Sequence, residues 1–331
     1  MKAKQRTLAA ILLLILLLGG LLWLVQRQSA QELAVSSAAA DGTIVLSSFA
    51  VGDLETIQYT YQGETLTLND HAGDWTLEED PAYHLDSTAC NTMATALSTL
   101  NAKRSLTAQS GEDYGLTDPA VKVTVTAAGE TSTFLFGAQN PITGDLYLQK
   151  EGETEIYTVS GNKATCFELS KQELFGRFNP AGLTVSALEK VSITTSDGTF
   201  ALSAISKPAE SADDDAASSA ADSDAVDYET VWRLDGEPDA ELNSTTVQSL
   251  LSALAGVVSG QVTAADPDDY GFAAPLITVD AETADGAATL YYATNAEGCW
   301  MMKKGDGSIY SVDLDTVTAL LLTEDALKTE L

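Results

Sequence analysis

Two pairs of adjacent carboxylates are the residues whose type and spacing could support chemistry in this 331-residue chain. Glu112 and Asp113 open the stretch EDYGLTDP, and Asp268 and Asp269 open the similar stretch DDYGFAAP. Two carboxyl groups that converge across a cleft could hydrolyse a glycoside, and the same groups could bind a divalent cation weakly. Exposed acids are also the ordinary state of an acidic surface, so adjacency alone identifies no active site.

The other residue types that support catalysis form no recognisable arrangement. The two histidines are His71, in a predicted hairpin turn, and His84, just before a predicted helix. A general base needs a positioned partner, and we interpret both as surface residues. The sequence contains no HExxH, no GxSxG, no P-loop and no GxGxxG after a strand. We therefore predict no catalytic, cofactor-binding or metal-binding residue, and a protein that is not an enzyme.

The three cysteines are an odd number without CxxC spacing. Cys90, Cys166 and Cys299 lie in different parts of the chain, so the sequence does not support zinc ligation. One disulfide between two of them stays open. We interpret all three as small core residues.

The charge is strongly acidic, with 48 Asp and Glu against 17 Lys and Arg and a formal net charge of -31. Such a surface repels phosphate backbones. The composition therefore argues against nucleic acid as a partner.

The N-terminus carries a long apolar run. Leu8–Val25 is 18 residues without a charge, preceded by Lys2, Lys4 and Arg6. This length and flanking charge predict a single-pass transmembrane anchor within residues 1–27, with a cytoplasmic N-terminus and an extracytoplasmic bulk. The alternative is a cleaved signal peptide, whose apolar region normally has about 7–15 residues.

The rest of the chain contains a tandem repeat of one long segment. Leu54–Leu68 aligns with Leu188–Leu202, and DWTL around Trp75 aligns with VWRL around Trp232. The alignment requires an insertion in the second copy. Residues 206–228 fit this insertion, because they consist almost wholly of Ala, Ser and Asp and cannot bury enough apolar surface to fold.

Each copy predicts an α+β module in which one amphipathic helix packs on a mainly antiparallel sheet. The helices are expected over Asp86–Leu100 and Asn243–Val257, with two or three strands before each and four after it. A further helix is expected to end near Arg177, between the copies. The predicted domains are a flexible stalk (28–45), a first module (46–180) and a second module (181–331).

Five aromatic residues could stack against a carbohydrate: Trp75, Trp232, Trp300, Tyr147 and Tyr292. Trp75 and Trp232 hold equivalent places in the two copies, which favours a role as core anchors. Trp300 aligns with Leu146, and whether it packs in the core or stacks against a carbohydrate stays open.

The constellation resembles one family. The Trp strand and the capped helix precede Tyr114-Gly115-Leu116 and Pro119, and a strand pair and an I-Y-x-V ending follow. This order is similar to the domain of unknown function family DUF 4340, over Leu46 to about Leu174. The resemblance implies a bacterial, membrane-anchored, extracytoplasmic protein that often accompanies ABC transporters similar to those named for gliding motility. It implies no catalytic residue.

These observations favour a non-catalytic extracytoplasmic accessory or binding protein that works with the permease subunits of an ABC transporter. Two alternatives stay open. One is an extracytoplasmic hydrolase acting on envelope glycans, and the other is a cell-surface module that binds a glycan or a cation.

Overall fold

The computed structural model describes residues 44–108, 112–208 and 228–329. The chain divides into two compact units, of which the first ends at Leu174 and the second begins at Phe175. The predicted apolar run Leu8–Val25 and most of the predicted stalk lie outside the described residues.

The first unit is built on an antiparallel sheet. Its strands are β1 (Ile44–Ser48), β2 (Leu54–Tyr61), β3 (Glu64–His71), β4 (Asp74–Leu77), β5 (Thr99–Ala102), β6 (Arg104–Leu106), β7 (Val121–Ala127), β8 (Glu130–Gln139), β9 (Leu146–Lys150) and β10 (Ile156–Val159). Eight of them form one sheet in the order β4-β3-β2-β7-β8-β9-β10-β6, and β1 pairs with β5 separately. Alternating residues of β7 are buried, as expected for a strand with one face on the core.

One helix, α1 (Ser87–Ser98), packs in the first unit. Asp86 caps it, because its side chain accepts hydrogen bonds from the free amides of Thr88 and Ala89. Its fully buried side chains include Cys90, Met93, Ala94 and Leu97. These residues recur at helical spacing, so a single face of α1 joins the core.

The second unit repeats this topology. Its strands are β11 (Leu188–Thr195), β12 (Gly198–Pro208), β13 (Tyr228–Leu234), β14 (Gly260–Thr263), β15 (Ile277–Thr283), β16 (Gly286–Thr294), β17 (Cys299–Lys303) and β18 (Ser308–Val312). The order β13-β12-β11-β15-β16-β17-β18-β14 matches the first sheet strand for strand. The helices are α2 (Ser244–Leu254), capped by Asn243, and α3 (Leu314–Leu320).

Short 3-10 helices occupy Val51–Asp53, Gly161–Lys163, Thr165–Phe167, Val185–Ala187, Pro267–Tyr270 and Glu324–Leu327. The prediction of a helix that ends near Arg177 is wrong, because this part of the chain forms two of these 3-10 turns and irregular structure. The reason is tertiary hydrogen bonding. The carbonyls of Leu169, Lys171 and Leu174 accept from Tyr59 Oη, Tyr83 Oη and the Asp86 amide, at 2.7, 3.0 and 2.8 Å, instead of from a helical turn.

The predicted α+β class is also wrong. Each unit is mainly antiparallel sheet, with eight strands in its main sheet and one helix of 11 or 12 residues against it. Strands such as β6 and β14 have only three or four residues and no apolar alternation, so their pattern does not predict them. No helix among the described residues is long and apolar enough to cross a membrane. The residues of the predicted transmembrane helix are not among those described.

The predicted insertion at 206–228 is too wide at both ends. β12 continues to Pro208 and β13 begins at Tyr228, with Ser206 paired to Thr230 and Lys207 to Glu229. Residues 209–227 lie outside the described residues.

Candidate functional site

The repeated motif folds into a tight turn against β8 in the first unit. Gly115 has φ +67°, and the Asp113 carboxylate accepts a hydrogen bond from its amide at 2.8 Å. The Tyr114 carbonyl accepts from the Ala138 amide at 2.8 Å. A Cβ at Gly115 would lie 2.6 Å from the Ala138 nitrogen, so this position requires glycine for both its conformation and its space.

The second copy makes a related turn against β16. Gly271 has φ +90°, and a Cβ there would lie 3.1 Å from the Thr294 carbonyl oxygen. Asp266 caps the preceding 3-10 turn by accepting from the Asp268 amide at 3.1 Å. In both units, therefore, the motif forms a turn that packs against one long strand, β8 in the first unit and β16 in the second.

The motif tyrosine of each unit packs on one aromatic side chain from the sheet. Tyr114 and Tyr147 meet edge to face with ring centroids 4.9 Å apart, and Tyr270 and Trp300 do so at 4.8 Å. Trp300 therefore takes the place of Tyr147, and its predicted alignment with Leu146 is wrong by one residue.

The strand pairing explains this register. Leu148 of β9 and Met301 of β17 are both buried, and they lie opposite Tyr157 and Tyr310 respectively. Since side chains alternate along a strand, the preceding residue of each points to the other face.

An asparagine fixes the aromatic residue in each hairpin. Asn140 Nδ2 donates to Tyr147 Oη at 2.8 Å, while Trp300 Nε1 donates to Asn295 Oδ1 at 2.9 Å. Each Asn side chain also accepts a hydrogen bond from a backbone amide of its own turn. In the first unit, the Ile142 amide donates to Asn140 Oδ1 at 2.9 Å. The turn, the ring pair and the amide form one structural unit that occurs twice.

The carboxylate pairs do not assemble into a catalytic arrangement. Glu112 accepts from Tyr114 Oη at 2.6 Å, and Asp113 holds the turn. Asp268 and Asp269 are exposed on their 3-10 turn. In the described ranges, no group of three His, Cys, Asp or Glu side chains could hold a metal ion.

His71 and His84 are both exposed, at the end of β3 and ahead of α1. This agrees with their interpretation as surface residues.

An ion pair between a buried carboxylate and a half-exposed lysine anchors the β8–β9 hairpin. The Asp145 carboxylate is 2.5 Å from Lys103 Nζ, and Asp145 is only 5% exposed. The hydrogen bond from Lys103 holds the pKa of Asp145 below its usual range, against the opposing effect of burial. The pair ties the hairpin to the chain between β5 and β6, and its role is structural.

All three cysteines are free. Cys90 is a core residue, as predicted, and burial raises its pKa to about 12. Cys166 is half-buried and lines a groove of about 520 Å³ beside α1, together with Asn91 and Lys163. Burial raises the pKa of Cys166 to about 11, so this thiol stays protonated at neutral pH.

The five aromatic candidates have different environments. Trp75 is buried and donates from Nε1 to Asn91 Oδ1 at 2.9 Å, which agrees with its predicted role as a core anchor. Tyr292 is 2% exposed and cannot stack on a ligand. Tyr147 and Trp300 are half-buried in the ring pairs described above. Trp232, expected to match Trp75, is only half-buried.

Trp232 lines a groove of the second unit. This groove measures about 630 Å³ and lies between the edge strand β13, the loop that follows it and the first turns of α2. Its lining includes Trp232, Arg233, Asp239, Ala240, Glu241 and Gln248. Sequence reasoning missed this site. A position-by-position comparison of the two copies for large-to-small changes would have found it.

Comparison with known proteins gives one match. The family model described as a domain of unknown function, DUF4340, matches residues 75–229. The match starts in β4 of the first unit and ends in β13 of the second, so it begins and ends later than the range expected from the sequence. No curated protein and no solved structure matches the chain. The resemblance is confirmed over residues 75–229, which match the DUF4340 model.

Proposed function

We propose that this chain is a non-catalytic, extracytoplasmic accessory or binding protein that works with an ABC transporter. Its partners would be the permease subunits of that transporter. The location outside the cytoplasm rests on the sequence of residues 1–27, which lie outside the described residues.

One observation carries the non-catalytic part of the proposal. In the first copy of the motif, the Asp113 carboxylate accepts a hydrogen bond from the Gly115 amide, and Glu112 accepts one from Tyr114 Oη. In the second copy, Asp268 and Asp269 lie exposed on a short 3-10 turn. A catalytic carboxylate must instead reach a reacting group in a cleft. Because the motif occurs once in each unit, a role in folding accounts for both copies.

The transporter partner is supported by the match of residues 75–229 to the DUF4340 model and by what the resemblance to that family implies. The family description itself names no activity. The acidic composition, with a net charge of -31, adds an argument against anionic partners such as nucleic acid.

Site-specific photocrosslinking in the native membrane tests the partner. A photoreactive amino acid replaces Ile142, which is 91% exposed at the β8–β9 hairpin, or Leu314, which is 66% exposed at the start of α3. Ile57, fully buried in β2, provides the matched control position. We expect a permease subunit to crosslink from at least one exposed position and not from the buried one. Recovery of no transporter subunit from either exposed position would refute the transporter role.

A further inference from the structure

The two units differ most clearly at one position beside the tryptophan that they share. Asp86 caps α1 and Asn243 caps α2, so the residues three places before the caps, Tyr83 and Ala240, correspond. The same offset relates Trp75 to Trp232. A tyrosine in the first unit is therefore replaced by an alanine in the second.

In the first unit, Tyr83 fills the space next to the helix start. Its side chain is 6% exposed, and its hydroxyl donates to the Lys171 carbonyl at 3.0 Å. The Lys171 ammonium lies 4.6 Å from the centre of the ring. Trp75 is also 6% exposed and is held by Asn91. Both aromatic side chains belong to the core there.

In the second unit, the corresponding space is open. Ala240 lines the groove of about 630 Å³, and Trp232 forms part of its wall. Gln248, which corresponds to Asn91, donates to Ser252 Oγ at 3.3 Å along its own helix. The groove has the size of a small-molecule site, for which about 300–1,000 Å³ is usual.

The side chains around the groove indicate its chemistry. The indole of Trp232 offers an apolar face, and Arg233, Asp239, Glu241 and Gln248 offer hydrogen-bond donors and acceptors at the exposed rim. A pyranose ring has an apolar C–H face and a rim of hydroxyls that both donate and accept, so it complements this combination. The two carboxylates disfavour a phosphate or other anion, and the guanidinium disfavours a cation.

We propose that the groove of the second unit binds a neutral oligosaccharide, with Trp232 as the stacking platform and Ala240 as the residue that leaves room for it. This inference rests on the proposed role as a binding protein but not on the transporter partner.

Calorimetric titration of the full-length protein with maltohexaose, cellohexaose and chitohexaose tests the inference. We expect at least one of them to bind with one site per chain. Ala240→Tyr restores the side chain of the first unit and should weaken binding by about tenfold or more, without lowering the melting temperature. Trp232→Ala should weaken binding to a similar extent. Trp300→Phe, at the other half-buried tryptophan of the same unit, is the matched control and should leave the affinity within about twofold.

Three results would overturn the saccharide site: no binding of any of the three hexasaccharides, full affinity in both Ala240→Tyr and Trp232→Ala, or equal loss in Trp300→Phe. β13 is an edge strand, so an extended peptide could instead pair with it. If a panel of extended peptides binds and Ala240→Tyr blocks it while the saccharides do not bind, the groove belongs to a peptide. Saccharide binding with failed photocrosslinking would refute the transporter role alone.

Discussion

Replacing Gly115 by alanine should lower the stability of the first unit by more than the cost of a left-handed backbone conformation alone. Gly115 has φ +67°, and a Cβ would stand 2.6 Å from the Ala138 nitrogen. Gly129 in the β7–β8 turn is a matched control, because it has φ +77° but no atom within 4 Å of the place that a Cβ would take. The two substitutions share the left-handed conformation and differ in the clash.

The expected losses follow from these two contributions. A left-handed conformation costs a non-glycine residue about 1–2 kcal/mol, which is the loss expected for Gly129→Ala. A forced overlap in a packed region adds about 1–3 kcal/mol, so Gly115→Ala should lose about 2–5 kcal/mol. Gly271→Ala should fall between them within its own unit, since its Cβ would be 3.1 Å from the Thr294 oxygen.

Urea unfolding of the full-length protein measures the free energies, and hydrogen exchange resolved by peptide assigns the loss to β7 and β8. A loss that is equal in Gly115→Ala and Gly129→Ala would refute the argument that the motif turn is pressed against β8. Retention of Asp113→Ala at wild-type stability would further weaken it, because that carboxylate holds the Gly115 amide.

Two further predictions concern titrating groups of the first unit. The pKa of Asp145 is lowered by Lys103, so its contribution is complete above the ordinary Asp pKa of about 3.9 and is lost as the pH falls through the lower folded value. The stability difference between wild type and Asp145→Asn should therefore shrink in acid, and a constant difference to the lowest pH would contradict this. Burial raises the pKa of Cys166 to about 11. The rate at which iodoacetamide alkylates Cys166 should therefore rise about tenfold per pH unit from pH 7 to 10. Mass spectrometry measures this rate, with Cys166→Ser as the control. A rate that levels off near pH 8 would contradict the raised pKa.

The features that the sequence predicts well are those carried by neighbouring residues. The caps at Asp86 and Asn243 and the apolar faces of α1 and α2 are local patterns, and so is the alternation of β7 and β15. Each of these depends on contacts within a few residues.

The features that it misses depend on distant parts of the chain. The helix expected before Arg177 does not form because carbonyls such as that of Leu169 bind side chains of the sheet, and no local pattern reports this. The face of the sheet on which Trp300 lies depends on the strand register, because a shift of one residue moves a side chain to the opposite face. The groove arises because Ala240 stands where the first unit buries Tyr83, and only the packing shows the consequence.

Comparison of the two units distinguishes residues that are needed for the shape of the backbone from residues that differ between the copies and could serve a separate function. Gly115 and Gly271 both have positive φ, and each motif tyrosine keeps an edge-to-face partner, although that partner changes from Tyr147 to Trp300. Asp118, in contrast, corresponds to Ala274, so an acid in the motif is dispensable to the turn. A binding function specific to one unit should therefore be sought where buried volume differs between the copies, in the groove of the second unit, rather than among the acids of the repeated motif.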